Sequence, residues 1–277
     1  MATRLNSEHG ISFTEFSYQI LQGNDFLELH RRHGITMQTG GSDQWGNLTS
    51  GTDLIRRVEQ KTVHAMATPL ITKADGTKFG KTESGTVWLD PALTSPYAFS
   101  QFWLNADDRD VIKYLHVFSF RSLEEIEDIR TRFEEAPHTR IAQKALAEEV
   151  TTLVHGAEHA KQAFAAADAL FRGGELRGID GDTLGAATAE LPRGEVSTAV
   201  LEEGLPVADA LALAGIVKSK SEGRRALREG GAYVNNAKAE GEDAVVTQAD
   251  VLDAGTDGVI VLRRGKKTLG ALTITRD

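Results

Sequence analysis

Apolar and polar positions fall into three textures along the chain. Between 12 and 33 the spacing is helical: Phe13, Phe16, Ile20 and Leu27 lie roughly on one face. Tyr18, Gln22 and Asp25, at i, i+4 and i+7, lie on another. Ser12 and Glu15 are spaced as a capping box, and Gly34 suits the stop. Residues 35–39 read as a short strand closed by Gly40-Gly41. A helix follows from about Asn47, its expected cap, to Glu59, and a second strand runs over 63–70. Strand, turn, helix, strand is the order of a βαβ unit with parallel strands. Residues 1–94 are therefore expected to be an α/β, Rossmann-like domain.

From residue 95 helical spacing takes over, at 95–105, 107–118, 123–135, 141–155 and 160–170. That predicts an all-α domain over 95–172 with short connections. Residues 173–206 hold seven glycines, two prolines and no aromatic residue, which reads as a linker. A small α+β domain is expected over 207–277. Its first helix carries Ala208, Leu211 and Ala212, and its second, basic helix spans 221–228. Strands are expected near 232–235, 244–247, 258–263 and 268–275.

Composition removes several possibilities. The 277 residues include no cysteine, so disulfides and thiolate metal sites are excluded. The eight histidines are scattered, and no metal site is expected. No run approaches eighteen apolar residues and the first residues have no apolar leader, so a cytoplasmic chain without a membrane partner is expected. The net charge of −9 argues against a general attraction for nucleic acid. The cations are nevertheless clustered. Lys218, Lys220, Arg224, Arg225 and Arg228 form one group, and Arg263, Arg264, Lys266 and Lys267 another. Basic residues on a short helix and a nearby turn suit phosphate contact, although a charged helix can equally be merely solvated.

Two loops carry candidate chemistry. Lys73-Ala74-Asp75-Gly76-Thr77-Lys78-Phe79-Gly80-Lys81-Thr82-Glu83 has no apolar period. Its lysines Lys78 and Lys81 bracket Gly80, where backbone can approach a ligand closely, and Thr82 adds a hydroxyl. Mobile lysines suit a phosphate that shifts during reaction; the plain alternative is a solvated turn. The second loop is Gly40-Gly41-Ser42-Asp43-Gln44-Trp45-Gly46-Asn47, directly after a strand. Ligands in α/β sheets sit at the carboxyl ends of strands. There Gly41 allows close approach, Asp43 can accept from ribose hydroxyls and Gln44 can donate to a carboxylate.

The lysine loop resembles the second signature of class I aminoacyl-tRNA synthetases, in the Lys-Phe-Gly-Lys-Ser/Thr form of the bacterial tyrosyl-tRNA synthetases. The Gly-Gly-Ser-Asp-Gln-Trp-Gly-Asn octet and the Tyr18/Gln22/Asp25 helix are similar to segments of the same family. So are Trp88-Leu89-Asp90-Pro91, Ser95-Pro96-Tyr97 and Asp107-Asp108-Arg109-Asp110-Val111. The stretch from Ala214 to Asn235 resembles the RNA-binding module of small-subunit ribosomal protein four. The resemblance implies ATP with magnesium, tyrosine and tRNA(Tyr) as partners, and a homodimer formed near Phe13. It implies that Lys78, Lys81 and Thr82 surround the departing pyrophosphate. Tyr18 and Gln22 would hold the tyrosine ammonium, and Asp25 would accept from the phenol. Gly41, Asp43 and Gln44 would contact the adenylate.

The family's first signature, His-Ile-Gly-His, has no equivalent in these residues. The resemblance begins in mid-domain, so the chain is expected to be the C-terminal two-thirds of such an enzyme and to be inactive alone. Two other readings stay open: an RNA-binding protein without catalysis, and a tryptophanyl enzyme of the same fold.

Overall fold

Apolar residues at Phe26 and Leu27 on one helix and Leu48 and Ile55 on the next bring the first two helices together. These are α1 (Phe13–His33) and α2 (Trp45–Glu59). The computed structural model describes residues 12–77, 79, 81–82, 85–265 and 268–275. The chain divides into two units, Met1–Phe79 and Gly80–Asp277.

In the first unit, α1 and α2 pack around Phe26, Leu27, Ile55 and Val63. Arg31 of α1 bridges Glu59 at the end of α2 at 2.6 Å. Strands β1 (Met37–Gly41) and β2 (His64–Thr68) pair in parallel, with Met37 opposite His64, as a βαβ unit requires. The pleat separates the two faces. Gln38, Gly40, Ala65 and Ala67 are partly covered, whereas Met37, Thr39, His64, Met66 and Thr68 are exposed. The expected aromatic stripe on α1 does not form a core in this chain. Leu27 is buried, but Phe13 is 85% exposed and Phe16 and Ile20 are also open. The side chain of Glu15, half of the expected capping box, lies outside the described residues.

The second unit opens with a short hairpin, β3 (Lys81–Thr82) against β4 (Gly85–Thr86). Five helices follow: α3 (Pro96–Leu104), α4 (Val111–Phe118), α5 (Leu123–Glu135), α6 (Ile141–His155) and α7 (Ala157–Arg172). Ser95 caps α3 by accepting from Ala98 N–H, and Ser122 with Glu125 forms a full capping box on α5. Phe99, Trp103, Tyr114 and Phe118 meet edge to face inside this bundle.

The expected linker is not a linker. Within 173–206 lie α8 (Gly181–Thr188), β5 (Arg193–Ser197), α9 (Thr198–Glu203) and β6 (Leu205–Pro206). Leu176, Leu184, Val196 and Leu201 from this stretch are buried. Its glycines serve close packing. A Cβ on Gly194 would lie 2.3 Å from the Leu213 carbonyl oxygen, so the strand can pass there only without a side chain.

Helices α10 (Val207–Leu213) and α11 (Lys220–Arg228) lead into strands β7 (Ala232–Val234), β8 (Ala237–Lys238), β9 (Val245–Val246), β10 (Leu252–Ala254), β11 (Asp257–Arg264) and β12 (Thr268–Thr275). The main sheet has the order β5-β12-β11-β7-β8, with β10 also on β11. Strand β5, from the expected linker, pairs in parallel with β12.

Both faces of this sheet are buried. Ile260, Leu262 and Leu272 join Leu211, Ala226 and Leu227 on one side. Val259, Val261 and Ala271 join Ala163, Ala166 and Ala169 of α7 on the other. Leu184 and Ala187 of α8 join the same cluster, and α8 packs directly on β10 and β11.

Candidate functional sites

The carboxyl end of β1 meets a closely packed turn at Gly41. A Cβ on Gly41 would stand 2.8 Å from Asp43 Oδ1 and 2.9 Å from a Leu70 methyl. The turn itself is a short 3-10 segment, Ser42–Gln44, with Asp43 exposed beside it. Helix α2 starts at Trp45, so Asn47 is not its cap as expected; Gln44 holds that position without a side-chain cap bond. Asn47 has a different task. Its Nδ2 donates to Gln44 Oε1 at 3.0 Å and to Gln22 Oε1 at 3.3 Å. Gln19 Nε2 also donates to the Gly46 carbonyl at 3.1 Å.

Helix α1 and the glycine turn are thus tied at the carboxyl end of a parallel strand. Gln22 and Gln44 are brought together, with Gly41 and Asp43 beside them in the chain. Tyr18, one turn before Gln22, is 59% exposed, and Asp25 is exposed as well. The role of Asn47 as the link was missed in the sequence because an Asn at that spacing also fits a helix cap.

The lysine loop begins as a tight turn. Asp75 Oδ1 accepts from Thr77 N–H at 2.9 Å and from Thr77 Oγ1 at 2.6 Å, and Gly76 N–H donates to the Lys73 carbonyl. Lys78 and Gly80 lie outside the described residues. Lys81 and Thr82 form β3 through backbone pairing with Thr86 and Gly85. Among the described residues no group of three His, Asp or Glu side chains is placed to hold a metal ion, and no helix is long and apolar enough to cross a membrane.

In the second unit the cations are organised by acids. Glu222 of α11 accepts from Lys218 N–H at 2.8 Å and from Arg264 at 2.5 Å. The Lys218 N–H and then the Arg264 guanidinium hold its carboxyl below the usual range. The end of β11 therefore reaches the basic helix, which joins the two clusters. Lys220 pairs with Asp209 at 2.8 Å, Arg225 with Glu229 at 2.7 Å and Arg228 with Glu242 at 3.5 Å. Such exposed pairs are weak and can exchange a carboxylate for a phosphate. Among the described residues no acidic side chain pairs with Arg224. Arg263 points elsewhere, over the Tyr233 ring at 4.6 Å. Lys266 and Lys267 lie outside the described residues.

Residues 1–172 match the family model of class I tRNA synthetases (W and Y). The chain belongs to this family. Residues 187–270 match the tyrosine–tRNA ligase SYY-like C-terminal domain. The tyrosine–tRNA ligase of Streptomyces avermitilis is 61% identical over 99% of this chain and 64% of its own length. That of Streptomyces coelicolor is 58% identical over the same shares. A crystal structure of a C-terminally truncated mitochondrial tyrosyl-tRNA synthetase from Aspergillus nidulans is similar at 29% identity and a TM-score of 0.51, covering 61% of this chain and 48% of that one. The chain thus spans less than two thirds of the length of the curated relatives it matches. The C-terminal match begins inside the expected linker, in line with the elements found there.

Proposed function

We propose that the chain serves a tyrosine–tRNA ligase, in which tyrosine is activated by ATP and passed to tRNA(Tyr). The observation that carries this reading is the Gln22–Asn47–Gln44 link at the carboxyl end of β1. It sets the amino-acid helix against the glycine turn, as one pocket for tyrosine and ribose requires. Tyr18 and Gln22 bind the ammonium, Asp25 the phenol, Gln44 the carboxylate side, and Gly41 and Asp43 the ribose. ATP enters as its magnesium complex.

A tyrosine carboxylate oxygen attacks the α-phosphorus in line, and the bond to the bridging oxygen of pyrophosphate breaks. No covalent enzyme intermediate is needed, so positioning and charge stabilisation carry the rate. Lys78, Gly80, Lys81 and Thr82 meet the charge that grows on the leaving pyrophosphate. Lys218, Lys220, Arg224, Arg225, Arg228 and Arg264 face the tRNA backbone. The exposed Phe13, Phe16 and Ile20 support a homodimer through the first unit. A cytoplasmic setting agrees with this work in translation.

The match to the tyrosine-type C-terminal domain favours this reading over a tryptophanyl enzyme. A second reading, RNA binding without catalysis, is favoured by the self-contained core of the second unit. The two separate in a fusion of this chain behind the N-terminal third of the Streptomyces avermitilis relative. Tyrosine-dependent exchange of pyrophosphate into ATP is expected from the fusion. Lys78→Ala or Lys81→Ala should each lower the rate by about 10²–10³, the loss typical of one preorganised donor, with little change in tyrosine binding. A folded fusion that shows no tyrosine-dependent exchange would leave the RNA-binding reading alone.

A further inference from the structure

Helix α7 ends at Arg172, followed by Gly173 in the left-handed region at φ 82°. The last carbonyls of a helix need donors from elsewhere. The Ala169 carbonyl accepts from Gly173 N–H and takes a second donor from the C-terminal module. Asn236 Nδ2 donates to the Ala169 carbonyl at 2.8 Å and to the Gly174 carbonyl at 2.9 Å. Asn236 belongs to the two-residue turn between β7 and β8, where Asn235 and Asn236 both have positive φ, 47° and 67°. Asn-rich turns of this kind suit tight hairpins.

The turn is pinned on its own side too. Asn235 Oδ1 accepts from Val261 N–H at 2.9 Å, and its Nδ2 donates to the Asp250 carbonyl at 2.6 Å. Beside it, the Arg263 guanidinium stacks on Tyr233 and lies within 3.0 Å of where a Gly173 Cβ would be. A cation at that place also suits the negative end of α7. Asn236 Oδ1 and Arg263 Nε are both buried at this junction.

The apolar cluster around the junction takes in alanines of α7, Leu184 and Ala187 of α8, and Val259 and Val261. Apolar contact is non-directional. It holds these parts together but does not fix the position of the sheet along α7. The hydrogen bonds of Asn236 and the stacked guanidinium of Arg263 do, helped by Arg177, which donates to the Ala249 carbonyl at 2.6 Å.

We propose that Asn236 and Arg263 are positioning residues for RNA binding, which lock the C-terminal module onto α7 so that the cations of α11 keep a fixed register with the helical bundle. The proposal rests on the tRNA reading above. A tRNA that touches both parts then meets one preformed surface, and no ordering of the module is lost on binding. Arg263 acts through this lock rather than by touching phosphate.

Asn236→Gly in the full chain is the cleanest test, because glycine keeps the positive-φ turn and removes both hydrogen bonds. Arg263→Lys keeps the charge and removes the stacked planar fork. Amide exchange over 169–176 and the affinity for a tRNA(Tyr) transcript across a salt series are measured together. Both variants should exchange faster there and bind about fivefold or more weakly, the lower range of a coupling between sites. The salt slope should be unchanged, whereas Arg224→Ala should flatten it by roughly 0.9, one phosphate contact on a duplex.

Faster exchange with unchanged affinity would make the grip purely structural and overturn the proposal. Unchanged exchange would show that there is no lock. A slope change for Asn236→Gly like that of Arg224→Ala would mean that the cation face itself is damaged. Wild-type chain that binds tRNA(Tyr) no better than an unrelated RNA of equal length would remove the tRNA reading, and the proposal with it.

Discussion

The parallel pair of the first unit and the six-stranded sheet of the second are built on different terms. Strands β1 and β2 form a parallel pair with α2 on one face and Met37 and Met66 exposed on the other. In β11, four consecutive residues, Val259 to Leu262, are buried, because helices cover both faces. Parallel strands normally have cover on both sides; antiparallel strands tolerate an open face. Among the described residues the parallel pair has cover on one face and the antiparallel sheet on two. The second unit contains two large buried clusters, and the first carries the glycine turn beside a smaller one. On the proposed assignment the turn that meets tyrosine and the larger core therefore lie in different units, and substitutions should separate them.

The largest effect belongs to the first unit. In the fusion described above, Asp25→Ala should erode discrimination of tyrosine from phenylalanine, because phenylalanine leaves a polar acceptor unpaired. Tyrosyl-tRNA synthetase is the standing example of this rule, at about 10⁵ against phenylalanine, and the figure belongs to those enzymes rather than to this geometry. An unchanged ratio of kcat/KM for the two amino acids would make Asp25 a solvent-facing residue of α1.

Next comes the second unit. Leu272 is fully buried between β12 and the α10–α11 side of the sheet. Leu272→Ala should cost about 2–5 kcal/mol, the range for a buried leucine. The loss should be seen in chemical denaturation of the second unit while exchange in α1 and α2 is unaffected. Equal loosening of both units would erase the distinction between them.

A smaller effect concerns pH. His155 at the end of α6 packs edge-on against Phe99, with ring centroids 4.8 Å apart, and its Nε2 is buried. Burial, and then the charge of His159, hold its imidazole below the ordinary 6.5. The unfolded chain therefore takes up this proton at higher pH than the folded one. This contribution to stability is complete above pH 6.5 and declines as pH falls from there toward the folded value. His155→Gln should flatten that part of the curve of melting temperature against pH. A wild-type curve already flat between pH 7 and pH 5 would contradict it.

Much of this was legible in the chain. Helices α5 and α6 keep the bounds that their apolar periods predict, and the βαβ order gave parallel strands. Two regions were not. The stretch 173–206 reads as a linker because glycine suggests freedom, yet Gly194 is required where β5 passes the Leu213 carbonyl. Close packing and flexibility use the same residue, and only tertiary contact tells them apart. The grip of Asn236 on α7 joins residues more than sixty positions apart, which no local pattern carries. At the candidate site, Gln22, Gly41, Asp43 and Gln44 came from motifs. Their link through Asn47 came only from the fold.

Native-state amide exchange on the full chain, read element by element, tests the separation of stability from chemistry most directly. Amides of β11, β12 and α7 should exchange slowly and together, at a free energy near that of global unfolding of the second unit. Amides of β1, β2 and the glycine turn should open at much lower cost. Protection of β1 and β2 equal to that of β11 would contradict it, and would mean that the thin parallel pair is as well supported as the sheet buried on both faces.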